Sequence, residues 1–579
     1  MNVRYWKMNR LSMINALIVF LLLVVLSACN SSSSSSSTNN NDGDTGTTEE
    51  NDTIPVVNQS SGNPSFISTH FSGSGNCSNC HDGLINPDSK DVSIVKRWQS
   101  SIMANSSRDP FWKAKFKSEL NRTPSLSSVI NDKCTRCHAP MANVEAKESN
   151  TSITSFNGGV FEEQHTLHSQ AMDGVSCTLC HQISNSDKLG SIDGFSGGYE
   201  INTNLSGTDR LLYGQYQDIF PNPMRNQVNF TPEYSTHISE SSFCATCHNL
   251  KTPYTDASGN VLSTTHESEF PEQMPFSEWL HSDYASTDEK SCQQCHMSRS
   301  SDVVMVSQPP FIDTKRDNFA EHNFIGANVF MLNILNDNKE ILGVLGTDFE
   351  TTISETQSLL ESSASLAVTN QHLDNNGLSF TLSIKSETGH KLPTSYPSRR
   401  VIVHVKITDA LNNVVFESGK PNVDGSITGL DSDINQQTYE PHYDVINSSE
   451  QVQAYEGIMQ DSYNQVTFTL LRAKMYLKDN RILPDGFVKD TAPDDIKVIG
   501  SASNDDNFIG GSDEVTYKLS ALTDTSYSVQ VRLLYQPLSY SFAQDLFEDT
   551  SDEVQQFKSM YESSTHKTQI ISEMNFQVN

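Results

Sequence analysis

"DGVSCTLCHQI", Asp173 to Ile183, holds two cysteines three positions apart with a histidine directly behind the second. The same unit recurs as Cys77-Ser-Asn-Cys80-His81, Cys134-Thr-Arg-Cys137-His138, Cys244-Ala-Thr-Cys247-His248 and Cys292-Gln-Gln-Cys295-His296. With Cys177-Thr-Leu-Cys180-His181 these units take up all but one of the 11 cysteines, so no pair is left for a structural disulfide. Two thiols at this spacing add across the vinyl groups of haem, and the histidine that follows gives its imidazole to the iron as proximal ligand. Zinc ribbons also use paired cysteines, but they do not require a histidine after each pair, and five pairs would leave an odd half-site. A thioredoxin-type redox pair would occur once, ahead of a helix in a βαβ pattern. The expectation is five covalently bound haem c groups.

The remaining cysteine, Cys29, belongs to the N-terminus. Arg4, Lys7 and Arg10 precede the apolar run Ala16 to Leu26, which is short for a membrane span and reads as a signal peptide. The run closes on Leu26-Ser27-Ala28-Cys29, which resembles a bacterial lipobox with Cys29 as the lipidated first mature residue; an ordinary cleavage site beside an incidental cysteine is the alternative. Asn30 at the next position resembles the sorting signal for the outer membrane. Export also agrees with haem attachment, which takes place outside the cytoplasm. Residues 30–62 are rich in Ser and Asn, with seven consecutive serines at the start, and cannot bury enough apolar area to offset the entropy of ordering. They read as a tether.

Seventy acidic against 39 basic residues give a formal net charge of −31. This balance argues against nucleic acid and anionic lipid surfaces as partners, and it permits attraction to a basic redox protein or a cationic mineral surface; solubility explains it equally well. At 579 residues, two or more domains are expected. From about residue 63 to 365 the paired cysteines recur with few long apolar runs between them, so the flat haem faces are expected to supply much of the core of a mainly α, loop-rich domain. Asp109 and Pro110 supply an N-cap and a first-turn proline to a helix whose amphipathic face carries Phe111, Trp112, Lys115 and Phe116. From 366 to 579 the pattern is of strands. Val401, Val403, Val405 and Ile407 alternate on one face of a strand, as do Val529, Val531, Leu533 and Tyr535, which predicts an antiparallel, sandwich-like β domain. Asp431-Ser-Asp433-Ile-Asn435 looks briefly like a calcium loop, but Gln436 stands in place of the needed glycine and His442 in place of the bidentate glutamate, so it reads as an acidic loop.

The stretches "RWQSSIMANSSRDPFWKAKF", "CTRCHAPMA", "AMDGVSCTLCHQI", "FPEQMPFSEWLHSDY", "EHNFIGANVFML" and "TGHKLPTSYPSRR" resemble the multihaem c-type cytochromes related to the tetrahaem cytochrome c and hydroxylamine oxidoreductase superfamily. "EPHYDVI" and "YLKDNRILPDGF" extend the likeness toward the C-terminus, as in a lipoprotein subgroup with a shared C-terminal domain. The resemblance implies electron transfer, and it implies candidates for the second axial position of each iron. Where the family often has Trp-x-x-Ser-x-His, this chain has Trp98-Gln-Ser-Ser101-Ile-Met103, so Met103 is a candidate thioether ligand, against the alternative of a packed core methionine. His168 and His237 stand shortly before attachment sites, His322 follows the last one, and His390 lies in a Gly-His-x-x-Pro-Thr motif. His165, His70, His266, His281 and Met141 are substitutes. For the histidines, the competing reading is a solvated or hydrogen-bonded side chain.

The leading functional expectation is a pentahaem electron carrier, anchored by lipid to the outer membrane on its periplasmic or cell-surface face and exchanging electrons with other redox proteins. An oxidoreductase acting on a small nitrogen or sulfur compound at a haem with an open distal position is the alternative. A third reading makes the β domain a binding module served by the haems. No lysine replaces a proximal histidine, so the lysine-ligated haem of pentahaem nitrite reductases has no counterpart.

Overall fold

Alternation along the strand Arg400–Thr408 puts Val401, Val403, Val405 and Ile407 on one face, and all four are fully buried. The antiparallel neighbour Tyr527–Gln536 sets Tyr535, Leu533, Val531 and Val529 directly opposite them in register. In this computed structural model, which describes residues 64–300, 304–307, 315–522 and 524–579, the pair forms the middle of a six-stranded sheet. The strand order is Met475–Asp479, Ala454–Gln460, Arg400–Thr408, Tyr527–Gln536, Gln569–Val578, with Val414–Ser418 also paired to Arg400–Thr408. A second sheet runs Val445–Ile446, Ser512–Leu519, Gly377–Ser386, Ala364–Asp374. Leu378, Phe380, Leu382 and Ile384 from this sheet share one apolar cluster with the valines of the first, which makes a sandwich. Each fully buried aliphatic side chain there contributes about 1.5–3 kcal/mol.

The region before residue 364 is built from short helices and loops. Asp109 caps the helix Pro110–Arg122 by accepting from the Trp112 amide at 3.0 Å, with Pro110 at the first turn. The buried face of this helix includes a Lys115–Glu119 ion pair of 2.7 Å. Lys115 also donates to the Phe468 carbonyl, Glu119 accepts from the Leu470 amide, and Arg122 pairs with Asp545. One apolar cluster joins Ala114 and Phe330 to Phe468, Phe542 and Phe557. The strand pattern thus begins at residue 364, but packing continues across that point, and the described residues fall within one compact unit. Among them, no helix is long and apolar enough to cross a membrane. The signal peptide, Cys29 with its lipobox and the tether lie outside the described residues.

Candidate functional site

Each attachment unit ends or forms a helix: Ser74–His81, Ser127–His138, Cys177–Cys180, Ser241–His248 and Cys292–His296. In a helix, positions i, i+3 and i+4 share a face, so both thiols and the imidazole of each unit aim the same way. They aim into one continuous cavity of about 2290 Å³ that all ten paired cysteines and all five following histidines line. A pocket for one small molecule occupies roughly 300–1,000 Å³, so this space suits several large ligands.

The thiols of different units come together. Cys77 adjoins Cys177, Cys137 adjoins Cys247, and Cys244 adjoins Cys292, while Cys180 lies close enough to Cys247 for their charges to interact. The imidazoles repeat this adjacency: His181 feels His81, His138 feels His248, and His248 feels His296. The fourth unit is therefore the neighbour of the second, third and fifth, and the first unit is reached through the third. Tyr199, whose hydroxyl donates to the Arg136 carbonyl, sits where Cys137, Cys180 and Cys247 meet.

Four of the five proximal candidates have Nδ1 engaged by a backbone carbonyl: His81 by Val306, His138 by Ser106, His181 by Tyr213 and His296 by Ile325. A proton held on Nδ1 leaves the Nε2 lone pair free, which is the tautomer a metal needs. Burial holds these rings neutral, with His138 and His248 each lowered to about 4 by desolvation.

Two further histidines reach the cavity from distant segments. The His181 and His322 ring centroids are 6.3 Å apart with planes 23° from parallel, and those of His296 and His390 are 6.2 Å apart at 13°. Two metal–imidazole bonds of about 2 Å and two ring radii of about 1.1 Å add up to about 6 Å, so both pairs fit opposite sides of one iron. His322 and His390 also keep Nδ1 on a carbonyl, that of Ala320 and that of Lys391. His390 is delivered by a loop whose neighbour Gly389 has no room for a Cβ, which would meet the Tyr284 ring at 2.9 Å. Beneath that loop, Lys391 pairs with Asp479 at 2.8 Å, and Arg481 pairs with Glu278 at 2.9 Å. His322 is flanked by Glu321, which Lys90 pairs with at 3.0 Å, and by Asn323, which donates to Glu355.

The other distal candidates fare differently. Met103 lines the cavity, and its carbonyl accepts from the Val175 amide at 3.1 Å, close to the Trp98 indole that donates to the Val175 carbonyl. His168 is partly exposed, has Nδ1 on the Val160 carbonyl and is not part of the cavity wall. His237 lies outside the cavity wall, with Nε2 hydrogen-bonded to the Ile183 carbonyl at 2.8 Å and Nδ1 to the Ser235 hydroxyl at 2.7 Å, so both of its ring nitrogens are engaged. Neither His165, nor His70 with Glu145 on its Nδ1, nor His266, His281 or Met141 lines the cavity. Among the described residues, His81, His138 and His248 have no histidine partner of the kind seen for His181 and His296. On His138 the Trp112 ring stacks instead, 4.2 Å away and 6° from parallel.

One group in this wall escaped the sequence reading. Glu272 is buried and accepts from Thr252 at 2.6 Å, and desolvation raises its carboxyl to about 7. Glu119 and the hydroxyl of Tyr396, buried without a hydrogen-bond partner, lie near the same thiol, Cys134. The signal was available: in the strand Phe270–Gln273, Glu272 shares the buried face with Phe270, and a carboxylate in phase with a core aromatic marks a special environment.

Against known families, residues 76–182 match the model for cytochrome c554 and c-prime. A solved structure, a penta-heme cytochrome c552 from Thermochromatium tepidum, is 15% identical, with a TM-score of 0.49 over 88% of this chain and 100% of that one. No curated protein matches. The family match and the recurring attachment motif support a multihaem c-type cytochrome that binds haem c covalently and transfers electrons.

Proposed function

We propose that this chain is a pentahaem electron carrier, held by lipid on Cys29 at the outer membrane and exchanging electrons with soluble or surface redox partners. The observation that carries the reading is the convergence of ten paired thiols and five following histidines on one cavity, with His322 and His390 set at ligand distance from His181 and His296. Haem, when bound, supplies an iron that cycles between two oxidation states, at a potential set by axial ligands and burial. The cysteine pairs hold it covalently, and the five histidines behind them supply the proximal nitrogens. His322 and His390 would hold the third and fifth haems together with His181 and His296. Met103, in a turn joined to the segment before Cys177, lines the same cavity and would offer a thioether to a haem bound there. Carbonyls on Nδ1 fix the ring orientations, and the apolar wall keeps water from the metal. Close spacing of the units suits exchange of electrons among them.

Mass spectrometry of the mature protein should show five haem additions, and His322→Ala and His390→Ala should each convert one low-spin signal in electron paramagnetic resonance to high-spin. Fewer than five haems, or zinc in their place, defeats the proposal. For anchoring, Cys29→Ser should release the protein from the membrane fraction.

A second reading is favoured by the polar group near Cys134. Glu272, Glu119 and Tyr396 near Cys134, in the attachment unit whose His138 has no histidine partner, are what proton-coupled chemistry on a small substrate would use. If the haem at His138 is high-spin and binds cyanide, while Glu272→Gln changes the pH dependence of its potential, this reading gains over a pure carrier.

A further inference from the structure

The loop that delivers His390 is gripped from two sides. On one side the Leu392 amide donates to the Ile482 carbonyl at 2.8 Å, and the Ile482 amide donates back to the Leu392 carbonyl at 2.9 Å. On the other side stands Glu278, fully buried in the helix Pro275–Leu280. Its Oε2 accepts from the Lys391 amide at 3.2 Å, directly behind His390, and from the Thr394 hydroxyl. Its Oε1 lies 2.9 Å from Arg481 Nη1. Lys391 and Arg481 also pair with Asp479, at 2.8 and 2.7 Å, and none of these four side chains is more than 9% exposed. Two anions against two cations leave the network neutral, the condition under which buried charges are tolerated.

The helix that carries Glu278 belongs to the frame of the attachment units. The Phe276 amide donates to Asn249 Oδ1 at 2.9 Å, and Asn249 Nδ2 donates to the Ser277 hydroxyl at 2.8 Å, one residue after His248. The Trp279 indole donates to the Lys290 carbonyl at 2.9 Å, just before the helix Cys292–His296. Glu278 thus joins the frame that holds His296 to the loop that holds His390. The charge of Glu278 and that of His296 are both felt at the His390 ring. Such a link matters because a functional side chain must stay within about 0.5 Å of its productive position, and the 6.2 Å between the two ring centroids leaves room for one metal and little more. The bond from His390 Nδ1 to the adjoining Lys391 carbonyl orients the ring, but it moves with the loop and cannot fix its height.

We infer that Glu278 is the positioning residue for His390, its carboxylate holding the loop where Nε2 reaches the iron bound by His296. The inference rests on the reading of His390 as second ligand of the fifth haem. What the role demands is an acceptor oxygen with the reach to meet the Lys391 amide and the Thr394 hydroxyl.

Two variants that keep the site polar separate this role from simple charge balance, in the full-length, haem-loaded protein. Glu278→Asp keeps the charge but withdraws the oxygens by one methylene, so one low-spin signal in electron paramagnetic resonance should give way to a high-spin one, and added imidazole should restore it. Glu278→Gln keeps the length and an acceptor oxygen, so it should leave the parent spectrum unchanged. If the parent spectrum survives in both variants, and only Glu278→Gln lowers the thermal midpoint, Glu278 balances charge and the inference is overturned. His390→Ala, measured alongside, keeps the two readings apart. Should it also leave the parent spectrum, the ligand role of His390 fails and the inference with it; should it turn one haem high-spin while Glu278→Asp does not, the positioning role alone fails.

Discussion

Between Arg400 and Thr408 every inward position finds an apolar partner directly across the ladder, and the resulting cluster draws on both sheets. Between Cys77 and His296 the apolar clusters hold only a few residues each, and they surround a cavity of about 2290 Å³. One region makes its core from its own side chains; the other is a shell of short helices whose interior is left to a ligand. Folding of the first therefore depends on burying valines and tyrosines, and of the second on covalent chemistry at its thiols.

The strongest way to break this contrast is to produce the chain without haem attachment. Limited proteolysis should then cut between residues 64 and 300 first and spare 364–579, and simultaneous digestion of both would show that the sandwich leans on the haems. Within the sandwich, Leu533→Ala should lower stability by about 2–5 kcal/mol in denaturant titration with the haem count unchanged. Loss of haem on that substitution would tie the two regions more tightly than proposed.

A smaller effect sharpens the picture of the cavity wall. The Glu272 carboxyl titrates near 7 in the folded chain against 4.5 ordinarily. The folded state thus holds a proton that the unfolded state has released, so stability falls as pH rises from about 4.5 to about 7. Glu272→Gln should remove this slope, with the variant gaining up to about 3 kcal/mol over the parent at pH 8 and matching it near pH 4. Thermal unfolding at several pH values measures it. The smallest effect expected is at the helix cap that joins the two regions: Asp109→Ala should cost about 0.5–2 kcal/mol in thermal or denaturant unfolding without changing the number of haems bound.

The distal positions mark where reading along the chain stops. Met103, His168, His237, His322 and His390 looked alike as candidates by family pattern, yet the structure brings only Met103, His322 and His390 to the cavity. His237 sits seven residues before Cys244, an inviting offset, but its Nε2 is taken by the Ile183 carbonyl. Nothing local to His237 foretells that bond, because Ile183 arrives from another attachment unit. The same holds for Glu278, whose partners Lys391 and Arg481 come more than a hundred residues later.

From the amino-acid sequence alone came the attachment units, since two thiols and an imidazole within five positions form one face of a single helical turn. It also determined the strand faces, since a period of two needs no distant information. Only the tertiary structure decided which histidines oppose His181 and His296, which units adjoin, and that Glu272 and Glu278 are buried. Those outcomes depend on segments far apart in the chain meeting at a few ångströms, and the packing of the whole, not the spacing of neighbours, sets such distances.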